Sequence, residues 1–257
     1  MLTFSKKSIM ETTLKQYHIE TLKNSKAAVV DLSDTAVKGN ASYCAFLLPW
    51  EKAKNGKLLD ALRLGLNGIR IYGVSLLKRL SNSNEWDSEN RILEDVYRCL
   101  DRCGIKGEEM EEAAGKYIKS KMFRIPGAKG FLQRIKNFGE KKELILLTRE
   151  SSECARAAQD YFGFDECISN VTRLNRSGII NDVQIIMKKP EDKLSLLRRE
   201  LEEDGLELKD VVMISDNPED PKLFKGEVGL FITYKNGKGE LNIKDYREFE
   251  RQLINSD

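Results

Sequence analysis

Four short apolar runs, at 27–30, 144–147, 211–214 and 229–232, constrain this chain more than any other feature. Runs this short, apolar without alternation, suit strands buried on both faces. The stretches 130–138, 151–161 and 194–201 between them carry helical patterning, the second stopped by Gly163. Strands alternating with helices predict right-handed crossovers and a parallel sheet covered on both sides. Three of the runs end in polar residues: Asp31, Thr148 and the pair Ser215-Asp216. The tips of parallel strands are where open α/β sheets place their ligand chemistry. A short strand at 167–169, a helical lead-in over 1–25 and a polar helical tail complete the pattern.

From Ala36 to about Ile125 the rhythm changes. Apolar residues recur at helical spacing, first Leu58, Leu59, Leu62, Leu66 and Ile69, then Ile92, Leu93, Val96, Tyr97 and Leu100. Ser81-Asn82-Ser83-Asn84 separates the two runs and offers a cap for the second. Pro126-Gly127 marks the return to alternating strands and helices. The expected architecture is α/β: a Rossmann-like, three-layer parallel-sheet core from 1–35 and 126–257, with an all-helical cap over 36–125 inserted after the first strand. A cap entering directly after Asp31 overhangs the strand tips.

Composition excludes several functions. The chain of 257 residues carries 43 basic and 41 acidic side chains, a net charge of +2, which gives no broad basic surface for nucleic acid. No apolar run approaches the roughly 20 residues that span a bilayer, and the N-terminal segment is too polar for a secretory signal, so a cytoplasmic protein is expected. Five scattered cysteines (Cys44, Cys99, Cys103, Cys154, Cys167) argue against a disulfide framework. Cys99 and Cys103 lie one helical turn apart, but no further thiol or imidazole completes a metal site. His18 is the only histidine and is remote from every strand tip, which removes schemes built on a histidine base.

The remaining chemistry rests on Asp31, Thr148, Lys193, Asp216 and Asp220. A carboxylate can attack phosphorus and form an aspartyl-phosphate, dividing one hard displacement into two easier ones. The phosphoryl group then needs a hydroxyl donor, a cation and a divalent metal around it. Thr148 supplies the hydroxyl and Lys193 the cation, while Asp31 and Asp216 offer hard oxygens suited to Mg²⁺.

These residues resemble the haloacid dehalogenase superfamily, in particular its phosphoserine-phosphatase-like branch with a helical cap. Val29-Val30-Asp31-Leu32-Ser33-Asp34-Thr35 is similar to a first motif of an apolar strand followed by Asp-x-Asp-x-Thr. Leu146-Leu147-Thr148 resembles the second motif, Lys193 the third, and Ser215-Asp216-Asn217-Pro218-Glu219-Asp220 the fourth. The resemblance covers about residues 26–235. It implies that Asp31 is the nucleophile and a Mg²⁺ ligand, that the Ser33 backbone carbonyl is a second ligand, and that Thr148 and Lys193 hold the phosphoryl group. Asp216 then ligates the metal directly, and Asp220 acts through water or a hydrogen bond. Lys188 and Lys189 are rivals for the cation role, with spacing favouring Lys193.

One position departs from the pattern. Related phosphatases carry a second acid in the first motif, which protonates the leaving oxygen and then activates water; here Ser33 stands in that place. General acid–base help of this kind is worth typically ~10²–10⁴-fold. Asp34 carries a carboxylate one position later, which only a local turn can redirect. Arg149-Glu150 after Thr148 and Ser215 before Asp216 are further departures. The expectation is a Mg²⁺-dependent phosphohydrolase of small phosphorylated metabolites, slow or atypical in its chemistry. The alternative is a catalytically degenerate relative that binds a phosphorylated ligand or a protein partner.

Overall fold

A computed structural model of the chain describes residues 14–80, 85–235 and 238–256. In chain order, α1 (Gln16–Asn24) leads into β1 (Ala27–Val30). A 3-10 segment (Ala41–Leu47) and four helices follow: α2 (Leu48–Lys54), α3 (Leu58–Leu80), α4 (Glu85–Arg102) and α5 (Gly107–Lys119). Then come α6 (Ala128–Lys136), β2 (Glu143–Ser151), α7 (Ser152–Phe162), β3 (Glu166–Leu174), β4 (Ile180–Gln184) and α8 (Pro190–Glu203). The chain closes with β5 (Val211–Ser215), α9 (Asp220–Phe224), β6 (Leu230–Tyr234), β7 (Leu241–Ile243) and α10 (Tyr246–Ile254). The serine–asparagine break at 81–84 and the start of the lead-in lie outside the described residues.

The seven strands form one sheet in the order β4-β3-β2-β1-β5-β6-β7. All neighbours are parallel except β3 and β4. Strand β1 sits at the centre, and the chain builds outward from it in both directions, which makes its C-terminal tip the switch point where such sheets take ligands. Alternate strand residues feed opposite faces. Ala28, Val30, Leu144, Leu146, Val212 and Ile214 join one buried cluster, with α6, α7 and α10. Ala27, Val29, Ile145, Leu147, Val211 and Met213 join the other, with α8 and α9. A fully buried Val, Leu or Ile contributes about 1.5–3 kcal/mol, so these runs hold β1 rigidly and fix where Asp31 emerges.

Three strand features differ from the sequence reading. The strand expected at 167–169 is longer and turns back as an antiparallel hairpin, β3 to β4. The hairpin reaches the α4–α5 turn, where Ile180 donates to the Ile105 carbonyl at 2.8 Å and Gly107 to Gly178 at 3.0 Å. Strand β7 precedes the C-terminal helix as an extra edge. Strand β2 does not stop at Thr148 but runs on to Ser151, with a register shift against β3 between Leu147 and Ser151.

The inserted helices split in character. On α4, Leu93, Val96, Tyr97 and Leu100 are buried, whereas Leu58, Leu59, Leu62, Leu66 and Ile69 on α3 are 61–74% exposed. Two linkers join the insertion to the sheet and pair with each other: Lys38 donates to Phe123 at 2.7 Å, beside an antiparallel bridge between Val37 and Arg124. The returning linker then turns at Gly127, at φ 84°, where an added Cβ would meet Arg247 Cγ at 2.7 Å.

Candidate active site

Asp31 is the first residue beyond β1. Its N–H donates to the Ile214 carbonyl at 2.9 Å, so the sheet ladder fixes its backbone. Its side chain is buried, and Oδ1 accepts from Lys193 Nζ at 3.4 Å. Lys193 lies in the first turn of α8, which starts earlier than its apolar pattern suggests because Pro190 supplies a pre-set first residue. The ammonium is buried and reaches Asp220 Oδ2 at 3.2 Å as well. Asp220, fully buried at the start of α9, takes a further hydrogen bond from Ser215 Oγ at 2.7 Å, while its Oδ1 has no partner. Lys188 and Lys189, by contrast, are exposed, and their backbone N–H groups donate to Asp192.

These charges control one another. Burial pushes the Asp31 carboxyl above its ordinary range, Lys193 opposes that shift and Asp220 adds to it. Burial works against the Lys193 ammonium, yet Asp220 and Asp31 hold its pKa above the usual lysine value. A buried cation bridging two carboxylates depends on both partners, and removing one member of such a group typically costs about 3–5 kcal/mol.

Asp216 follows β5. Its Oδ1 accepts from Thr35 Oγ1 at 2.8 Å, and its own N–H donates to the same hydroxyl at 2.9 Å. Thr35 is fully buried, and its carbonyl accepts from the Tyr246 hydroxyl at 2.8 Å. Burial first, and then the charge of Asp31, push the Asp216 carboxyl up to about 7, against the Thr35 hydrogen bond. A buried acid, Asp31, and a half-buried one, Asp216, repelling each other across β1 and β5 are the donor set a divalent cation would relieve, and the partnerless Asp220 Oδ1 is a further oxygen on the loop that follows β5. No cluster of three acidic, thiol or imidazole side chains forms a cage among the described residues. Mg²⁺ commonly uses one or two carboxylates and keeps several waters, so Asp31, Asp216 and the Ser33 carbonyl fit it in kind.

Thr148 is buried on β2, where its Oγ1 accepts the Glu150 N–H at 3.2 Å. Thr148, Asp31, Ser33 and Lys193 all line a cavity of about 310 Å³ between the strand tips and the inserted helices. Gly39, Asn40, Tyr43, Phe46, Glu89, Asn90, Ile92, Leu93 and Val96 close it from the insertion. Asp216 and Asp220 are not part of that lining: Asp220 touches it through Lys193, and Asp216 is bonded to Thr35, outside it.

The first-motif segment does turn sharply after Ser33. Asp34 adopts a left-handed backbone at φ 54°, and its N–H donates to the Val37 carbonyl at 2.6 Å. Its carboxylate lines the cavity, but Oδ1 is engaged by the Gly39 N–H at 2.7 Å. Ser33 points instead at Glu150: its hydroxyl donates to Glu150 Oε1 at 2.9 Å, and Glu150 is only 3% exposed. Neighbouring Arg149 pairs with Glu89 of α4 and lies over the Trp86 ring, 3.9 Å from its centroid. Arg149 Nη1 is buried without a partner. Thr35, Arg149, Glu150, Glu89 and Trp86 carry no role in the sequence reading. The available signal is at 149–150, two charges directly after an apolar strand, where burial demands partners.

No family model matches the sequence, and no curated protein matches it. Solved structures do. A substrate-bound phosphoserine phosphatase complex superposes with a TM-score of 0.59 at 17% identity, covering 89% of this chain and 98% of that one. A phospho-aspartyl intermediate analogue of phosphoserine phosphatase gives the same score and identity, covering 89% and 99%. This chain has their fold. A haloacid dehalogenase family hydrolase from Salmonella enterica serovar Typhi matches at a TM-score of 0.63 and 13% identity, over 95% of this chain and 82% of that one.

Proposed function

We propose that this protein is a phosphohydrolase of small phosphorylated metabolites, with Asp31 as the nucleophile. The observation that carries the reading is the buried Asp31–Lys193–Asp220 array opening, with Thr148, into a cavity of about 310 Å³. Its volume lies at the small-molecule end of ligand sites, roughly 300–1,000 Å³. The fold shared with a phosphoserine phosphatase and with its phospho-aspartyl analogue supports the same chemistry.

In this reading Asp31 attacks phosphorus with one carboxylate oxygen. Lys193 holds that carboxylate and faces the transferring group's negative charge, while Asp220 and Ser215 keep the ammonium in place. The Thr148 hydroxyl donates to a phosphoryl oxygen. Asp31, Asp216 and the Ser33 carbonyl would hold Mg²⁺, which supplies charge neutralisation at the phosphoryl oxygens when bound. Arg149 Nη1, lacking a partner beside the cavity, is available to a second anionic or polar group on the substrate.

A panel of phosphorylated metabolites and p-nitrophenyl phosphate, assayed with Mg²⁺, tests the reading. Release of inorganic phosphate by the native protein and its loss in Asp31→Asn are the expected results. Equal turnover in both proteins would overturn it. Mg²⁺-dependent phosphate binding without turnover or phospho-enzyme would favour the non-catalytic reading, which the absence of a carboxylate at Ser33 motivates.

A further inference from the structure

We infer that Glu150, acting through the Ser33 hydroxyl, supplies the acid–base carboxylate that position 33 lacks; the inference rests on the phosphohydrolase reading above. Three observations carry it. Ser33 stands two residues after Asp31, on the outgoing backbone, and its side chain lines the same cavity. Its Oγ–H is directed at Glu150 Oε1 at 2.9 Å, which leaves the lone pairs of Oγ for a donor on the cavity side. Glu150 is buried at 3% exposure yet lines that cavity, on the strand that carries Thr148. A buried carboxylate is retained at a cost unless it is hydrogen-bonded, and Glu150 is hydrogen-bonded to the residue that stands where the acid is expected.

The nearer candidate, Asp34, is placed differently. The left-handed turn puts its carboxylate on the Gly39 N–H, where it ties the outgoing linker. Two departures from the family pattern, Ser33 and Glu150, therefore compensate each other: the carboxylate has moved from the segment after β1 to β2 and works through a hydroxyl.

The proton and bond changes balance as follows. In the first half, an Asp31 oxygen bonds phosphorus while the bond from phosphorus to the leaving oxygen breaks and its electron pair stays on that oxygen. In this half Glu150 carries the proton and donates to Ser33 Oγ, the reverse of the resting hydrogen bond, so that Ser33 passes its own proton to the leaving oxygen as it takes the one from Glu150. In the second half, a water oxygen bonds phosphorus, and the phosphorus–Asp31 bond breaks with its pair returning to the carboxylate. The water's proton passes to Ser33 Oγ while the Ser33 proton returns to Glu150. Alcohol and inorganic phosphate leave, and both side chains regain their starting state.

Glu150→Gln keeps the acceptor oxygen for Ser33 and removes only the proton carrier. Expected is a loss of kcat/KM of roughly 10²-fold or more on an alkyl phosphate, and less than about 10-fold on p-nitrophenyl phosphate, whose leaving group needs no proton. With the aryl substrate the variant should also show a burst of one equivalent of nitrophenol and a long-lived phospho-enzyme, because the second half still needs the base. Ser33→Asp added to Glu150→Gln should restore the alkyl activity and abolish the burst. Equal losses on both substrates without a burst, or no loss, would overturn the assignment while leaving Asp31 chemistry standing. If thermal melting shows Glu150→Gln misfolded, Ser33→Ala is read by the same two criteria. A native protein with neither turnover nor phospho-enzyme removes the phosphohydrolase reading and this assignment together.

Discussion

The two sides of the strand-tip rim are built in opposite ways. On one side, Asp31, Lys193, Asp220 and Ser215 form a closed, buried array wholly inside the sheet domain, each anchored to a strand end or a first helical turn. On the other, Ser33, Glu150 and Arg149 reach outward, and Arg149 is held by Glu89 and Trp86 of an inserted helix. The first side needs only the core to be complete. The second is complete only when α4 lies against the rim. The Asp31 array is thus built by the sheet and its covering helices alone, whereas Arg149 is fixed only through α4.

The largest effect should come from the core side. Asp31→Asn is expected to lower turnover roughly 10³-fold or more, as removal of a nucleophile does in other enzymes, with phospho-enzyme trapping as the direct check. Asparagine keeps an oxygen that can accept from Lys193, and thermal melting checks that the variant remains folded. Lys193→Met removes the charge that holds two buried carboxylates, and chemical denaturation should report a stability loss of about 3–5 kcal/mol. A small loss would mean that the array is less closed than its contacts imply.

Acidity sharpens the same side. Asp216 keeps its proton to about 7 in the folded protein, against an ordinary value of 3.8. Between those values the folded state binds more protons than the unfolded chain. The group's stabilising contribution is therefore full below about 3.8 and is lost as pH rises toward 7. In metal-free protein the unfolding free energy, read by chemical denaturation, should fall across that window by on the order of a few kcal/mol at most, and Asp216→Asn should flatten the slope. Mg²⁺ should restore stability most strongly above pH 7, where the carboxylate is free of its proton.

The smallest effect belongs to Arg149, where the other side meets α4. Arg149→Ala should cost about 1 kcal/mol, the scale of a half-buried cation over an aromatic ring. It should raise KM more than it lowers kcat, since the residue joins α4 to the rim. If kcat falls alone, the comparison between the two sides fails.

The same division explains what the sequence made legible. The positions of Asp31 and Asp216 just beyond β1 and β5 are legible because each follows a short apolar run, and Lys193 opens a helix with clear apolar spacing. The contact of Ser33 with Glu150 was not, because it joins residues 117 apart and depends on β2 continuing past Thr148. Helix periodicity likewise marked both α3 and α4 without telling which stripe is covered: Tyr97 and Leu100 are buried, while Leu59 and Ile69 are 74% and 73% exposed. The β3–β4 hairpin was missed because its strands are half polar, with Asn170, Thr172, Arg173 and Asp182 among them, so no apolar run announced them.

The paired linkers have a mechanical corollary. Since Val37 and Arg124 are bridged, and Lys38 is bonded to Phe123, neither thread can shift without carrying its neighbour. The roof over Asp31 is thus mounted on a doubled pin. Arg149 is its doorpost, with Glu89 paired to it and the Trp86 ring lying against it.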